Sequence, residues 1–297
     1  MDPIPAPEPM PIPAWAPGRA AESEEPPRTY LRPSSGWTSL GLRELWQSRE
    51  LLAFFVWRDV KLRYAQTALG VAWAVLQPLL TMVVFSLFFG RLARMPSDGL
   101  PYPLFSFAAL VPWTFFATGL ARCAGSLVLH QGLLTKIYFP RLALPISAVL
   151  AGLVDVAVAF VVLIAMLGWY GTAPTISMLW IGPLLVLCLI SALGAGLWLA
   201  ALNVRYRDVQ QALPFLVQLW LFATPVAYPS SLLSEPWRTL YGVNPMAGAI
   251  EGMRWALLGN GPAPRGMIFV SSVTAVLVLV GGAYFFRRME RSFADIV

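Results

Sequence analysis

Apolar residues gather into six long runs separated by short polar connections, and this pattern sets the fold class. A hydrocarbon core about 30 Å thick needs roughly 20 apolar residues in a helix. Six segments reach that length: about 67–90, 103–127, 143–169, 177–202, 209–228 and 266–286. Pro and Gly within them are tolerable because neighbouring helices satisfy the freed backbone groups. The polar–apolar alternation of a membrane barrel is absent from the sequence. The pattern predicts an all-α polytopic membrane protein with six transmembrane helices.

Upstream of the first run, residues 41–64 read as an amphipathic helix. Leu42, Leu45, Trp46, Leu52, Ala53, Val56 and Val60 share one face, and Arg43, Glu44, Glu50, Arg58 and Lys61 the opposite one. Such a helix is suited to lie in the membrane interface. Phe54 and Phe55 blur the division. The last connection, between Tyr228 and Gly266, carries its own helix signals. Asn244 suits an N-cap, Pro245 the first turn and Gly259 the stop. The helix between them is too short to cross, so two short re-entrant helices are expected to dip back from the outer side. The chain then divides into 1–40, 41–64 as the interface helix, and 65–297 as a six-span transmembrane domain.

Composition agrees with this reading. The 297 residues are 58% hydrophobic and 12% charged, about half the charge fraction of soluble domains. Lipid must cover the surplus apolar surface. The net charge of +6 comes with basic residues beside apolar runs, which points to anionic lipid and orientation signals rather than nucleic acid. Cys123 and Cys188 lie inside apolar runs without metal or redox spacing. Ten of the 26 prolines fall between Pro3 and Pro33, so residues 1–40 read as a disordered Pro-rich cytoplasmic tail without the pattern of an export signal. With both termini inside, eleven Lys and Arg residues near the span ends lie on the inner side and five on the outer. Both ends are therefore expected to be cytoplasmic.

Six motifs, in order, carry a family resemblance: WRDVKLRYAQTALG (57–70), LLTKIYFPRLALP (133–145), NVRYRDV (203–209), PVAYP (225–229), NPMAGAIEGMRWALLG (244–259) and FFRRMERSFADIV (285–297). Together they resemble the permease subunits of ABC-type polysaccharide exporters, which move O-antigen, capsule or teichoic acid chains. The resemblance covers about residues 45–297 and leaves out the Pro-rich tail. Ala65 stands where family members often carry a basic residue. The family implies a homodimer in the bacterial inner membrane, paired with two nucleotide-binding ATPase subunits on the cytoplasmic face. The implied cargo is a glycan on an undecaprenyl diphosphate carrier. No GxxxxGK[ST] phosphate loop occurs in the sequence. The chain is therefore expected to bind no cofactor and to perform no catalysis, ATP and Mg being used by the partner.

Several constellations then acquire candidate roles. Arg58, Lys61 and Arg63 could hold the carrier's diphosphate through charge-assisted bonds, or serve as inside-positive anchors, with Asp59 tempering their field. Leu133, Leu134, Lys136, Ile137, Tyr138, Phe139 and Arg141 form an apolar knob with a basic rim, which in the family corresponds to the loop that docks into the ATPase; an ordinary interfacial loop is the alternative. Trp220, Phe222, Tyr228, Trp237, Tyr241 and Trp255 could line a glycan channel, or form the interfacial aromatic belt. Asp155, well inside a span, is expected to pair with Arg122, and Glu251 with Arg254 three residues on. His130 has no companion ligands in the sequence. The competing classes lack their signatures: a gradient-driven transporter would show internal repeats and several intramembrane acids, and a lipid-linked sugar transferase would show clustered acids or histidines. A permease of the same ABC class for lipid or drug cargo is the nearest alternative.

Overall fold

The structure is a computed structural model that describes residues 42–65, 72–134, 139–173, 175–259 and 261–290, all within one unit, Thr38–Val297. The Pro-rich tail lies outside the described residues. Among them every regular element is helical. Two helices lead in, α1 (Leu42–Gln47) and α2 (Arg49–Tyr64), separated at Ser48. Then come α3 (Ala72–Phe85), which widens into π-helical turns over Ser86–Leu92, α4 (Tyr102–Leu129) and the single turn α5 (Gln131–Leu134). The short α6 (Ala143–Leu150) runs almost directly into α7 (Leu153–Trp169). Next are α8 (Ile181–Arg205), led by a 3-10 turn, and α9 (Asp208–Phe222). The chain closes with α10 (Trp237–Leu240), α11 (Pro245–Leu258) and α12 (Arg265–Glu290).

Five stretches among the described residues are long and apolar enough to cross a membrane: Ala72–Leu92, Tyr102–Leu129, Ala143–Trp169, Ile176–Arg205 and Arg265–Glu290. With large apolar side chains exposed along α3, α7 and α12, they make this a multi-pass membrane protein. The segment 209–228, expected as a further span, gives a helix of only 15 residues, about 22 Å long at 1.5 Å per residue. Its end has a local cause. The Ala223 carbonyl is taken by the side chains of Asn244 (3.1 Å) and Tyr241 (3.0 Å), and Thr224 turns its hydroxyl back to the Trp220 carbonyl at 2.7 Å. Pro225 follows, with no N–H to continue the ladder.

The core is built around α4, whose residues from Leu104 to Leu127 are mostly buried. It packs against α8, α6, α11, α3 and α7. The α8–α12 crossing depends on missing side chains: a Cβ on Gly194 would lie 2.9 Å from the Leu279 nitrogen, and one on Gly282 would lie 2.6 Å from the Gly194 carbonyl oxygen. Backbones meet closely at such small-residue contacts, which suit membrane helices. α11 shows the expected stops: the Asn244 side chain accepts from the Met246 N–H at 3.1 Å, Pro245 opens the helix, and Gly259 ends it at φ 63°. Every residue of α11 except Trp255 is buried, so it is an internal strut rather than a surface element.

The leading helices differ in detail from the sequence pattern. Phe55, which blurred the apolar face, is the buried anchor of α2 at 3% exposure, and packs edge-on to Phe139 with ring centroids 5.6 Å apart. Leu45 and Leu52 join that contact region, whereas Trp46 is exposed. Packing against α6 selects this face.

Candidate functional site

Arg58, Lys61 and Arg63 fall on one helix yet do not form one site. Five residues turn a helix by about 140° beyond a full turn, so Arg58 and Arg63 serve different neighbours. Arg58 donates to the Asp59 carboxylate (2.8 and 3.1 Å) and to Nε2 of His130 (2.8 Å), and its guanidinium lies 4.9 Å from the Phe55 ring centroid. Nδ1 of His130 lies 2.9 Å from the Ser126 carbonyl. A carbonyl only accepts, so Nδ1 carries the hydrogen and Nε2 offers its lone pair to Arg58. Asp59 also accepts from the Ser147 hydroxyl at 3.3 Å. This knot ties α2 to the end of α4 and to α6.

Arg63 and Tyr64 both donate to the carboxylate of Asp155, in the first turn of α7, and Arg63 also reaches the Ala151 carbonyl at 3.4 Å. The expected Asp155–Arg122 pair is therefore replaced. The antiparallel neighbour α4 does bring Arg122 to the same cavity, but α2 delivers a cation and a hydroxyl directly onto the carboxylate. Burial, first, and then the Asp155 hydrogen bond and charge push the Tyr64 hydroxyl up to about 12, which keeps it a donor. Lys61 is exposed. Between α2, α3, α4 and α7 lies a cavity of about 160 Å³ whose polar lining includes Arg63, Tyr64, Gln77, Arg122 and Asp155.

Of the residues expected to form a docking loop, Lys136, Ile137 and Tyr138 and the Leu134 side chain lie outside the described residues. Leu133 is half-buried, Phe139 is buried against Phe55, and Arg141 donates to the Glu290 carbonyl at 2.7 Å. Arg287 meets Glu290 (2.7 Å) and Glu44 (3.4 Å). The loop's far flank, the start of α1 and the end of α12 thus form one charged rim.

At the other end of the fold, Glu251 and Arg254 are paired at 2.8 Å and nearly fully buried, at 8% and 5% exposure. Arg254 donates further to the carbonyls of Val226 (2.6 Å), Phe105 (3.2 Å) and Tyr228 (3.4 Å), and stacks 3.6 Å from the Phe105 centroid. Glu251 accepts from the Ser230 N–H at 3.3 Å. The four bonds that Arg254 donates engage all three nitrogens of the buried guanidinium, which has five N–H donors to satisfy. The pair pins the 225–230 turn between α4 and α11.

The aromatic residues divide. Trp220 donates to the Asn244 side chain at 3.0 Å, and the Tyr228 and Tyr241 hydroxyls meet at 2.9 Å beside the same Ala223–Asn244 junction. Asn244 completes its four bonds with Thr224 at 2.9 Å. Trp255 packs instead against Trp180 (6.4 Å), and Phe222 and Trp237 are exposed. Asn244 as a hub and His130 as the Arg58 partner were missed in the sequence. Only an N-cap preference marked the first, and nothing marked the second.

The model of the ABC-2 type transporter family matches residues 50–258. The chain is 32% identical to the O-antigen export system permease protein RfbA of Myxococcus xanthus, over 86% of this chain and 98% of that relative. A Klebsiella pneumoniae protein of the same name is 27% identical over 84% and 95%. The polysialic acid transport protein KpsM of Escherichia coli is 23% identical over 78% and 91%.

Proposed function

Because the chain belongs to the ABC-2 type transporter family, we propose that it is the permease subunit of an ATP-driven exporter of lipid-linked polysaccharide such as O-antigen. The observation that carries this reading is the near end-to-end likeness to O-antigen export permeases. The weaker likeness to a polysialic acid transport protein keeps capsule as a second cargo.

In this reading the subunit acts as a homodimer in the bacterial inner membrane, with both termini cytoplasmic and two ATPase subunits beneath it. ATP and Mg belong to those partners. The segment 209–228 crosses as the fifth of six spans, α9 being extended by the turn after it, and α10 and α11 are re-entrant from the outer side. The interface helix, α2, meets the carrier's diphosphate, with Lys61 the cation of the three that stands exposed. Residues 133–141 dock the ATPase. Thrust on that loop reaches α2 through the Phe139–Phe55 contact and the outer cap through α4. Trp220, Tyr228 and Tyr241 present aromatic faces near the outer end of the glycan path.

The test is deletion of the gene followed by analysis of surface and carrier-linked glycan. Loss of surface polymer with carrier-linked polymer retained inside is expected. Undiminished surface polymer overturns the reading.

A further inference from the structure

We propose that the cavity between α2, α3, α4 and α7 is a phosphate-binding site centred on Arg122, distinct from the exposed Lys61 face of α2. The cavity holds about 160 Å³, room for roughly five waters at about 30 Å³ each, and thus for a tetrahedral phosphate with the first atoms of its substituent. Its charge balance is unequal. Among the described residues Arg63 and Arg122 face it against a single carboxylate, Asp155, and that carboxylate is already engaged by Arg63 and Tyr64. One positive charge is left over.

That charge is Arg122. A guanidinium in a membrane-crossing helix is costly unless it meets an anion or reaches the interface. Among the described residues no hydrogen bond or ion pair engages Arg122, which is exposed together with Ala121 between the buried Leu120 and Cys123 of α4. Arg63 adds a second sign of an incomplete site: its Nε is buried and has no partner. The Gln77 amide offers a further donor at the rim. Guanidinium groups bind phosphate bidentately, so this donor set matches a tetrahedral anion better than it matches water alone. Trp73, Pro78, Phe115 and Val156 add apolar lining to the same cavity, which suits the carbon chain of a phosphate ester. Arg122 lies seven residues, about 10 Å, from the end of α4 at Leu129. A long side chain at that depth can meet a head group at the membrane surface.

The ligand chemistry is therefore a phosphate group, either on a membrane amphiphile or free in solution. The proposal deepens the exporter reading, on which it rests for a phosphorylated lipid as the natural ligand.

The test uses the full chain in a non-ionic detergent, with binding measured by native mass spectrometry. The probes are phosphatidylglycerol, diacylglycerol of the same chain length, and inorganic phosphate. Wild-type protein is expected to retain one phosphatidylglycerol per chain and no diacylglycerol. Arg122→Gln is expected to weaken that binding at least tenfold, Arg122→Lys to restore part of it, and Arg91→Gln, which removes a charge elsewhere, to leave it unchanged. A lipid that inorganic phosphate displaces supports a site reading the phosphate alone, from either source. A lipid that it does not displace supports a membrane source. Equal binding of phosphatidylglycerol by wild type and Arg122→Gln, or equal binding of diacylglycerol, overturns the proposal. Because the readout is equilibrium binding, loss of the exporter reading by gene deletion would leave this result standing, and the reverse also holds.

Discussion

Arg63, in the last turn of α2, donates to the carboxylate of Asp155, in the first turn of α7, across 92 residues of sequence. The side chains are 12% and 23% exposed, so neither charge is fully hydrated. Removing one partner leaves the other short of compensation at an expected cost of about 1–3 kcal/mol. Arg63→Gln and Asp155→Asn should each lower the thermal midpoint in detergent, and the double variant should lose less than the sum. Additive losses would show that the pair does not act as a unit.

Tyr64 gives this contact a signature in pH. Its hydroxyl is pushed up to about 12 from an ordinary 10.0, by burial first and by Asp155 next. The folded state therefore holds this proton more tightly than the unfolded chain. The stability it contributes is complete below pH 10 and is lost as pH rises toward 12. Wild-type protein should lose stability over that window more steeply than Tyr64→Phe. Parallel curves would contradict the assignment.

Arg254 supports the opposite end of the fold. Its guanidinium serves Glu251 and three backbone carbonyls from α4 and the 225–230 turn. Arg254→Met strands a buried carboxylate and those carbonyls, at an expected cost of about 3–5 kcal/mol. Limited proteolysis should then open sites at residues 223–236 before any in α4. A cleavage pattern identical to wild type would refute this role.

The α8–α12 crossing tolerates no side chain at Gly194, where a Cβ would meet the Leu279 backbone at 2.9 Å. Backbone cannot yield as a flexible side chain can. Gly194→Ala should cost about 1–3 kcal/mol, whereas Gly168→Ala, in open space near the end of α7, should cost far less. Thermal unfolding of the two variants makes the comparison, and equal losses would count against the close approach.

The sequence makes some of this legible and hides the rest for definite reasons. Long apolar runs mark the five stretches that, among the described residues, are long and apolar enough to cross a membrane, because such length is tied to bilayer thickness. The ends of α11 are legible because Asn244, Pro245 and Gly259 act on their own backbone. Glu251 and Arg254 are also readable, since three residues on a helix share a face. Contacts between distant elements are not. Asp155 lies beside the Arg122 cavity as antiparallel packing suggests, yet a cation 92 residues upstream holds it. The end of α9 is hidden likewise, because Asn244 and Tyr241, from beyond the next turn, take the carbonyl that closes it. On α2 the face is chosen by tertiary packing of Phe55 rather than by periodicity.

The most direct test of the central claim is glycan translocation in proteoliposomes containing the purified chain, with and without a nucleotide-hydrolysing ABC subunit from the same cell. The account predicts that lipid-linked polymer crosses only when both polypeptides and ATP are present. Polymer crossing with this chain alone, in the absence of any ATPase, would contradict it.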